Sequence, residues 1–341
     1  MTDLMTGAME DAAGSTDGPT TELRAPLAVA GGHNVDLFVR GEHAACERMF
    51  ADAGWRRLLL PGGEPPGGPF PHLGFDRGKG ALQRVNMRMA PPYQRGVLAR
   101  LRDGRRPVPA TGGLCVAFVG SDGAGKSTVV RAVADWLGRN VRVARVYLGS
   151  GRGSSSLLRW PLLLAHRLTA ARTPKPDPPR DAPVEAPGQR GLRERFRPLW
   201  ALVLALEKRS KLRAVFRARQ RGTIVLCDRW PQNEILGFND GPLLGSWEQS
   251  PSRWRRALAR WERVPYRWAE MHPPDLVVKL VASEDVALSR KPDMTRAEVA
   301  RRITAVRALG FGRCSRTLVV DADAPLATVL QTVESAVWEE L

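Results

Sequence analysis

The spacing of apolar residues changes character near residue 114. From there on, short apolar runs alternate with helical stripes. Leu114–Val119 is a continuous apolar run, the pattern of a strand buried on both faces of a parallel sheet. Val129, Val130, Val133, Trp136 and Leu137 then share one face of a helix that Gly138 ends. Val141–Leu148, Thr223–Cys227, Leu276–Val281 and Thr317–Val320 read as four further strands. A helix from Thr295 opens with a capping box, Thr295 and Glu298, and aligns Val299, Ile303 and Val306. The last helix follows Pro325 and carries Val329, Leu330, Val333 and Val337. Strands alternating with helices predict an α/β fold with a five-stranded parallel sheet flanked by helices.

The region before this pattern is different. Residues 1–24 are small, polar and unpatterned, which predicts disorder. Residues 25–105 predict a small α+β domain. It has a strand-like alternation at Asn34–Arg40, a helix over Glu42–Ala53 and a Pro/Gly loop from Pro61; short strands follow around His72–Phe75 and Leu82–Met87. Asp103–Gly113 reads as a linker, leaving 106–113 as the hinge before a second domain over 114–341. Within that domain, Ala171–Gln189 is dense in proline and charge and predicts a mobile insertion at about 171–190. Basic helical stretches flank it at Leu157–Arg172 and Leu192–Arg221. Leu157, Trp160, Leu162 and Leu163 beside Arg159 and Arg167 leave peripheral contact with a membrane surface open.

Composition narrows the classes. The chain has 341 residues, 43% hydrophobic and 26% charged, which suits a globular protein with one large or two smaller cores. Its longest apolar run, Leu199–Leu206, falls short of the roughly 20 residues of a spanning helix. The N-terminus is acidic and lacks an apolar signal core, so the expected location is cytoplasmic. Cys46, Cys115, Cys227 and Cys314 have no CxxC spacing and the five histidines form no ligand-spaced pair. Buried thiols are expected rather than a metal or redox site. The net charge of +17 draws phosphates, but arginine is spread over ordinary helix faces too. No recognition motif is present, and aromatics are not read as interleaved along a basic face, which argues against a nucleic-acid partner.

The candidate chemistry lies at Gly120-Ser121-Asp122-Gly123-Ala124-Gly125-Lys126-Ser127, a full GxxxxGK[ST] loop with Thr128 after it. A buried strand leads in and an amphipathic helix leads out. Glycines let backbone N–H groups turn inward on phosphate oxygens, and the helix N-terminus adds its dipole. Lys126 is then expected at the β- and γ-phosphates of ATP, with Ser127 on Mg²⁺. Downstream, the strand Thr223–Cys227 ends in Asp228-Arg229-Trp230. A carboxylate at that strand end can support the metal, and the guanidinium beside it can grip an acceptor phosphate. Arg290-Lys291-Pro292-Asp293, with Arg296, Arg301 or Arg302, supplies cations for a lid over the transferring group.

FVGSDGAGKST, TIVLCDRW and PDLVVKLVASEDVALSRK, in that order, resemble the thymidylate kinase family from about Leu114 to the C-terminus. The resemblance implies ATP and Mg²⁺ as cofactors and a phosphotransferase that converts dTMP to dTDP in nucleotide biosynthesis. It implies that Asp122 contacts the acceptor sugar and Arg229 its phosphate. Asp228 would then support Mg²⁺ together with Ser127, and Arg290 would sit in the lid. This chain departs from the family after the second strand. There Tyr147-Leu148-Gly149-Ser150-Gly151-Arg152-Gly153 stands in place of an Arg-Glu-Pro motif, with Arg152 as a substitute arginine. The departure leaves other acceptors open, including phosphorylated or sugar acceptors of surface-polysaccharide synthesis. A non-catalytic nucleotide-dependent switch and a homodimer also remain open. In the first domain, His33–Val39 resembles the metal-carboxylate strand of nucleotidyltransferase folds, but Asn34 occupies one carboxylate position and only Asp36 remains. That implies a degenerate domain used for binding or assembly.

Overall fold

The structure is a computed structural model. It describes residues 34–39, 43–60, 68–78, 80–89, 106–149, 187–236, 240–291, 294–311, 314 and 316–341. The segment 1–24, most of the Pro61 loop, residues 171–186 of the insertion, the 157–172 stretch, Arg152 and Pro292-Asp293 lie outside the described residues.

The chain begins with β1 (Asn34–Val39), α1 (His43–Asp52), β2 (Arg56–Leu59), β3 (Phe70–Asp76), β4 (Ala81–Met89) and β5 (Val108–Pro109). These strands form one sheet in the order β1-β4-β3-β2-β5, with β1 parallel to β4 and the other pairs antiparallel. Neither β2 nor β5 was expected from the pattern. Arg56-Arg57-Leu58-Leu59 does not alternate, and the two residues of β5 fall inside the segment read as a linker. Asn34 and Asp36 of β1 stand in register with Arg84 and Asn86 of β4.

The second sheet holds β6 (Cys115–Gly120), β7 (Val143–Tyr147), β8 (Ile224–Asp228), β9 (Leu276–Val281) and β10 (Arg316–Asp321). All are parallel, in the order β10-β9-β6-β8-β7. Around them run α2 (Lys126–Gly138), α3 (Pro187–Gln220), α4 (Arg253–Glu262), α5 (Val264–Met271), α6 (Glu284–Arg290), α7 (Arg296–Ala308) and α8 (Leu326–Glu340). α3 begins at Pro187, within the stretch read as an insertion. The Thr295 cap is present, its side chain accepting from Glu298 N, but the Glu298 carboxylate bonds Arg302 instead of closing the box.

Strand alternation produces the layers. Val116, Phe118, Ile224, Leu226 and Leu280 face α2 and α8, where Val130, Val133, Val333 and Val337 meet them. Cys115, Ala117, Val225 and Cys227 face the opposite layer, against Leu212 and Val215 of α3 and Ala269 of α5. Both faces of β6 and β8 are therefore buried, as their unbroken apolar runs require. The carboxyl ends of β6 and β8 lie side by side where the strand order reverses, the usual crevice for a ligand in such sheets. Among the described residues no helix is long and apolar enough to cross a membrane.

The first sheet shares this core rather than standing off on a tether. Leu58, Leu73 and Leu82 belong to the same buried cluster as α2 and α8. Phe75 meets Trp136 of α2 and Trp338 of α8 at ring-centroid distances of 5.4 and 5.5 Å. Trp136 Nε1 donates to Gly80 O (3.0 Å), and Thr111 Oγ1 donates to Leu341 O (2.9 Å). Leu73→Ala should therefore lower the stability of the whole chain by about 2–5 kcal/mol, the cost of a buried Leu-to-Ala cavity. Urea unfolding should show one transition moving as a unit; an early, separate transition of the first sheet alone would contradict the shared core.

Candidate functional site

The phosphate-binding loop leaves β6 at Gly120 and enters α2 at Lys126. Gly123 adopts φ 85° and passes α6 so closely that a Cβ there would lie 2.9 Å from Ala287 O. Only glycine suits both the conformation and the space. Lys126 is buried, and its Nζ donates to Gly120 O (3.0 Å) and Ser121 O (2.6 Å). Burial, then the Arg229 charge, pushes the ammonium down to about 8, against the pull of Asp122, Asp228 and Asp240. Ser127 and Thr128 are exposed at the first turn of α2.

The end of β8 meets this loop from the side. Ser127 Oγ donates to Asp228 Oδ2 (2.6 Å), while Asp228 Oδ1 is buried with no hydrogen-bond partner. A buried carboxylate oxygen left unmatched beside a hydroxyl is a donor set that suits a hard cation. Mg²⁺ takes one or two protein oxygens and completes its shell with water and phosphate, so Ser127 and Asp228 suffice to hold it. Bound there, the ion would neutralise phosphate charge. No group of three or more acidic, His or Cys side chains that could cage a metal occurs among the described residues.

One residue further on, Arg229 adopts φ 73°, a left-handed conformation that costs a branched or long side chain of order 1–3 kcal/mol. Its backbone stays tied to the sheet, N donating to Phe118 O (2.9 Å). The turn directs the guanidinium to two carboxylates: Nη2 donates to Asp122 Oδ1 (2.8 Å) and Nη1 to Asp240 Oδ2 (3.1 Å). Burial works against the Arg229 charge, but Asp240 and Asp122 outweigh it and hold its pKa above the ordinary arginine value. Burial likewise opposes ionisation of Asp122, yet Arg229, Lys126 and Arg302 keep its carboxyl below the usual range. The chain after β7 crosses close by. A Cβ on Gly149 would sit 2.4 Å from the Tyr147 ring and 2.5 Å from Arg229 Cδ, so a side chain there would have to push the Tyr147 ring and the Arg229 side chain aside.

The basic segment after α6 divides its roles. Arg290 Nη1 donates to Gly123 O (3.1 Å) and Nη2 to Ala322 O (3.3 Å), placing its head against the phosphate loop. Arg302 forms an ion pair with Asp122 Oδ2 and holds Glu298 Oε1 at 2.6 Å. Arg296 turns away to Glu284 and Asp285. Lys291 and Arg301 are exposed. Asp240 was not foreseen; its one sequence signal is the Asn239-Asp240-Gly241 turn composition. All four cysteines are free, with Cys46, Cys115 and Cys227 buried.

The buried Lys126 has a measurable signature. Below about pH 8 it is charged in both folded and unfolded chains, and its burial cost is fully present. Between about 8 and 10.5 the folded chain loses the proton first, so folding stability rises relative to a variant without the amine. Against Lys126→Met, wild-type stability in urea should gain about 3 kcal/mol across that window, at about 1.4 kcal/mol per pH unit. A difference that stays flat from pH 7 to 11 would contradict a buried ammonium.

No family model matches the chain. It is 33% identical over 232 residues to the uncharacterized ATP-binding protein YghR of Escherichia coli (strain K12), an alignment covering 65% of this chain and 86% of YghR. The YghR of Escherichia coli O6:H1 (strain CFT073) matches to the same extent. The uncharacterized ATP-binding protein YghS of strain K12 is 28% identical over 229 residues, covering 66% of this chain and 93% of YghS. The alignment with YghR spans most of that protein, and on that similarity the chain belongs to the YghR family.

Proposed function

We propose that this chain is an ATP- and Mg²⁺-dependent phosphotransferase that moves the γ-phosphoryl group of ATP to a small acceptor seated against Arg229. Nucleotide binding is supported by the complete phosphate loop and by relatives that carry "ATP-binding" in their names. The observation that carries the transfer step is the 2.8 Å contact between Asp122 and Arg229. It joins the donor loop to an arginine at the end of the neighbouring strand, outside the loop itself. A simple nucleotide binder has no use for that link, whereas a kinase needs donor and acceptor fixed on one rigid frame. Lys126 and the metal would hold ATP, Arg290 and Arg302 would offset developing charge, and Arg229 would align the acceptor.

A nucleoside monophosphate is the acceptor class that follows from the thymidylate kinase resemblance, with dTMP favoured. A sugar or other hydroxyl acceptor has one observation on its side: both Nη atoms of Arg229 already hold carboxylates. Those bonds leave N–H donors on the guanidinium, but the two carboxylates beside it offset its charge and oppose a further anion, whereas a hydroxyl can bond to the carboxylates directly.

ATP consumption measured against nucleoside monophosphates, nucleosides and phosphosugars separates these acceptors. A dTMP-selective signal is expected, and turnover only with a non-nucleotide would replace the acceptor. Lys126→Ala should lower kcat by about a hundred- to a thousandfold, the range for one preorganised donor, with an unchanged circular dichroism spectrum. Unchanged turnover in that variant would sink the phosphotransferase reading.

A further inference from the structure

The helices α4 and α5 carry an arginine–tryptophan dipeptide three times at seven-residue spacing: Arg253-Trp254, Arg260-Trp261 and Arg267-Trp268. Seven residues are close to two helical turns, so the two repeats within α4 return to the same side. Ala259, Glu262, Tyr266 and Ala269 are buried on the inner side. The outer side carries Arg253, Arg260 and Arg267 with Trp254, Trp261, Val264 and Met271, while Trp268 packs inward beside Phe216 and His272. Trp254 is 56% exposed, Trp261 38%, Val264 44% and Met271 58%. The expectation that aromatics are not interleaved along a basic face does not hold for this helix pair.

The arginines themselves sort by their partners, with Arg255 over the rings of Trp247 and Trp254 at 5.1 and 5.5 Å. Arg263 is bound to Glu248 at 2.6 Å, and Arg256 donates to Ser250 O at 2.6 Å, so both are committed to the fold. Arg253, Arg260 and Arg267 are exposed and have no ion-pair partner among the described residues. They leave three exposed guanidinium groups on the helix pair.

We propose that this face docks on an anionic lipid bilayer. Its residue types match the three layers of a bilayer surface. Guanidinium groups meet headgroup phosphates, indoles prefer the interface, and an apolar strip enters the acyl boundary. The centre of the face decides against a nucleic acid, because Val264 and Met271 offer neither charge nor a stacking plane. The proposal is independent of the acceptor and of catalysis.

The test is co-sedimentation of the full chain with phosphatidylcholine vesicles, with and without phosphatidylserine, near physiological salt. Binding is expected only with phosphatidylserine present. Arg253→Gln/Arg260→Gln/Arg267→Gln should weaken it about a hundredfold, at about fivefold per arginine. Arg131→Gln/Arg139→Gln/Arg145→Gln removes the same charge from exposed positions elsewhere and should leave it within a few-fold. Trp254→Ala/Trp261→Ala should weaken binding without changing net charge. Absence of binding to the anionic vesicles would overturn the proposal, as would equal losses from the two arginine triples. So would binding of a single-stranded oligonucleotide that alone responds to the Arg253, Arg260 and Arg267 changes.

Discussion

The contact between Asp122 and Arg229 is the constraint on which the rest of the site depends. It forms between two strand ends, and it exists only because β8 lies directly beside β6. The left-handed turn at Arg229 brings the side chain over the phosphate loop instead of along the strand. That turn costs free energy, which the two carboxylates at Asp122 and Asp240 offset. Arg302 closes the arrangement from α7, so one carboxylate draws together three separate elements.

Buried charge is concentrated around this contact. Lys126 is held by carbonyls of its own loop, and Asp228 keeps one oxygen unmatched. Each is unfavourable in isolation, and each becomes favourable when a polyanion and a cation arrive together. In the proposed function, a site arranged so, at the carboxyl ends of two neighbouring buried strands, would be preorganised for triphosphate and metal. The YghR family relationship agrees with this at the level of nucleotide binding and leaves the acceptor to experiment.

The features that were legible in the sequence are those with a local physical signature. The three central strands β6, β8 and β9 announced themselves because a strand covered on both faces must be apolar throughout, and the loop because only glycines permit its turns. Asp228 and Arg229 were legible from their place at a strand end. Other features depend on tertiary contact. β2 and β5 are too short and irregular to show a period, and they are strands only because they pair with each other and with β3. Trp136 fits the apolar stripe of α2, yet nothing local tells that it meets Phe75 from another sheet. Asp240 joins the site from 11 positions further along the chain, so only the fold brings it to Arg229. The α4–α5 repeat was present in the letters all along, but its meaning depends on which side of the helix pair is covered.

A double-mutant cycle on Asp122→Asn and Arg229→Gln tests the central claim most directly, read as kcat/KM for the best acceptor in the screen. If the contact aligns donor and acceptor as a unit, either change alone should lose most of the activity. The second should then add little, leaving a coupling of about 1–3 kcal/mol. Losses that simply add, or a fully active Asp122→Asn/Arg229→Gln protein, would contradict the claim that this contact couples donor to acceptor.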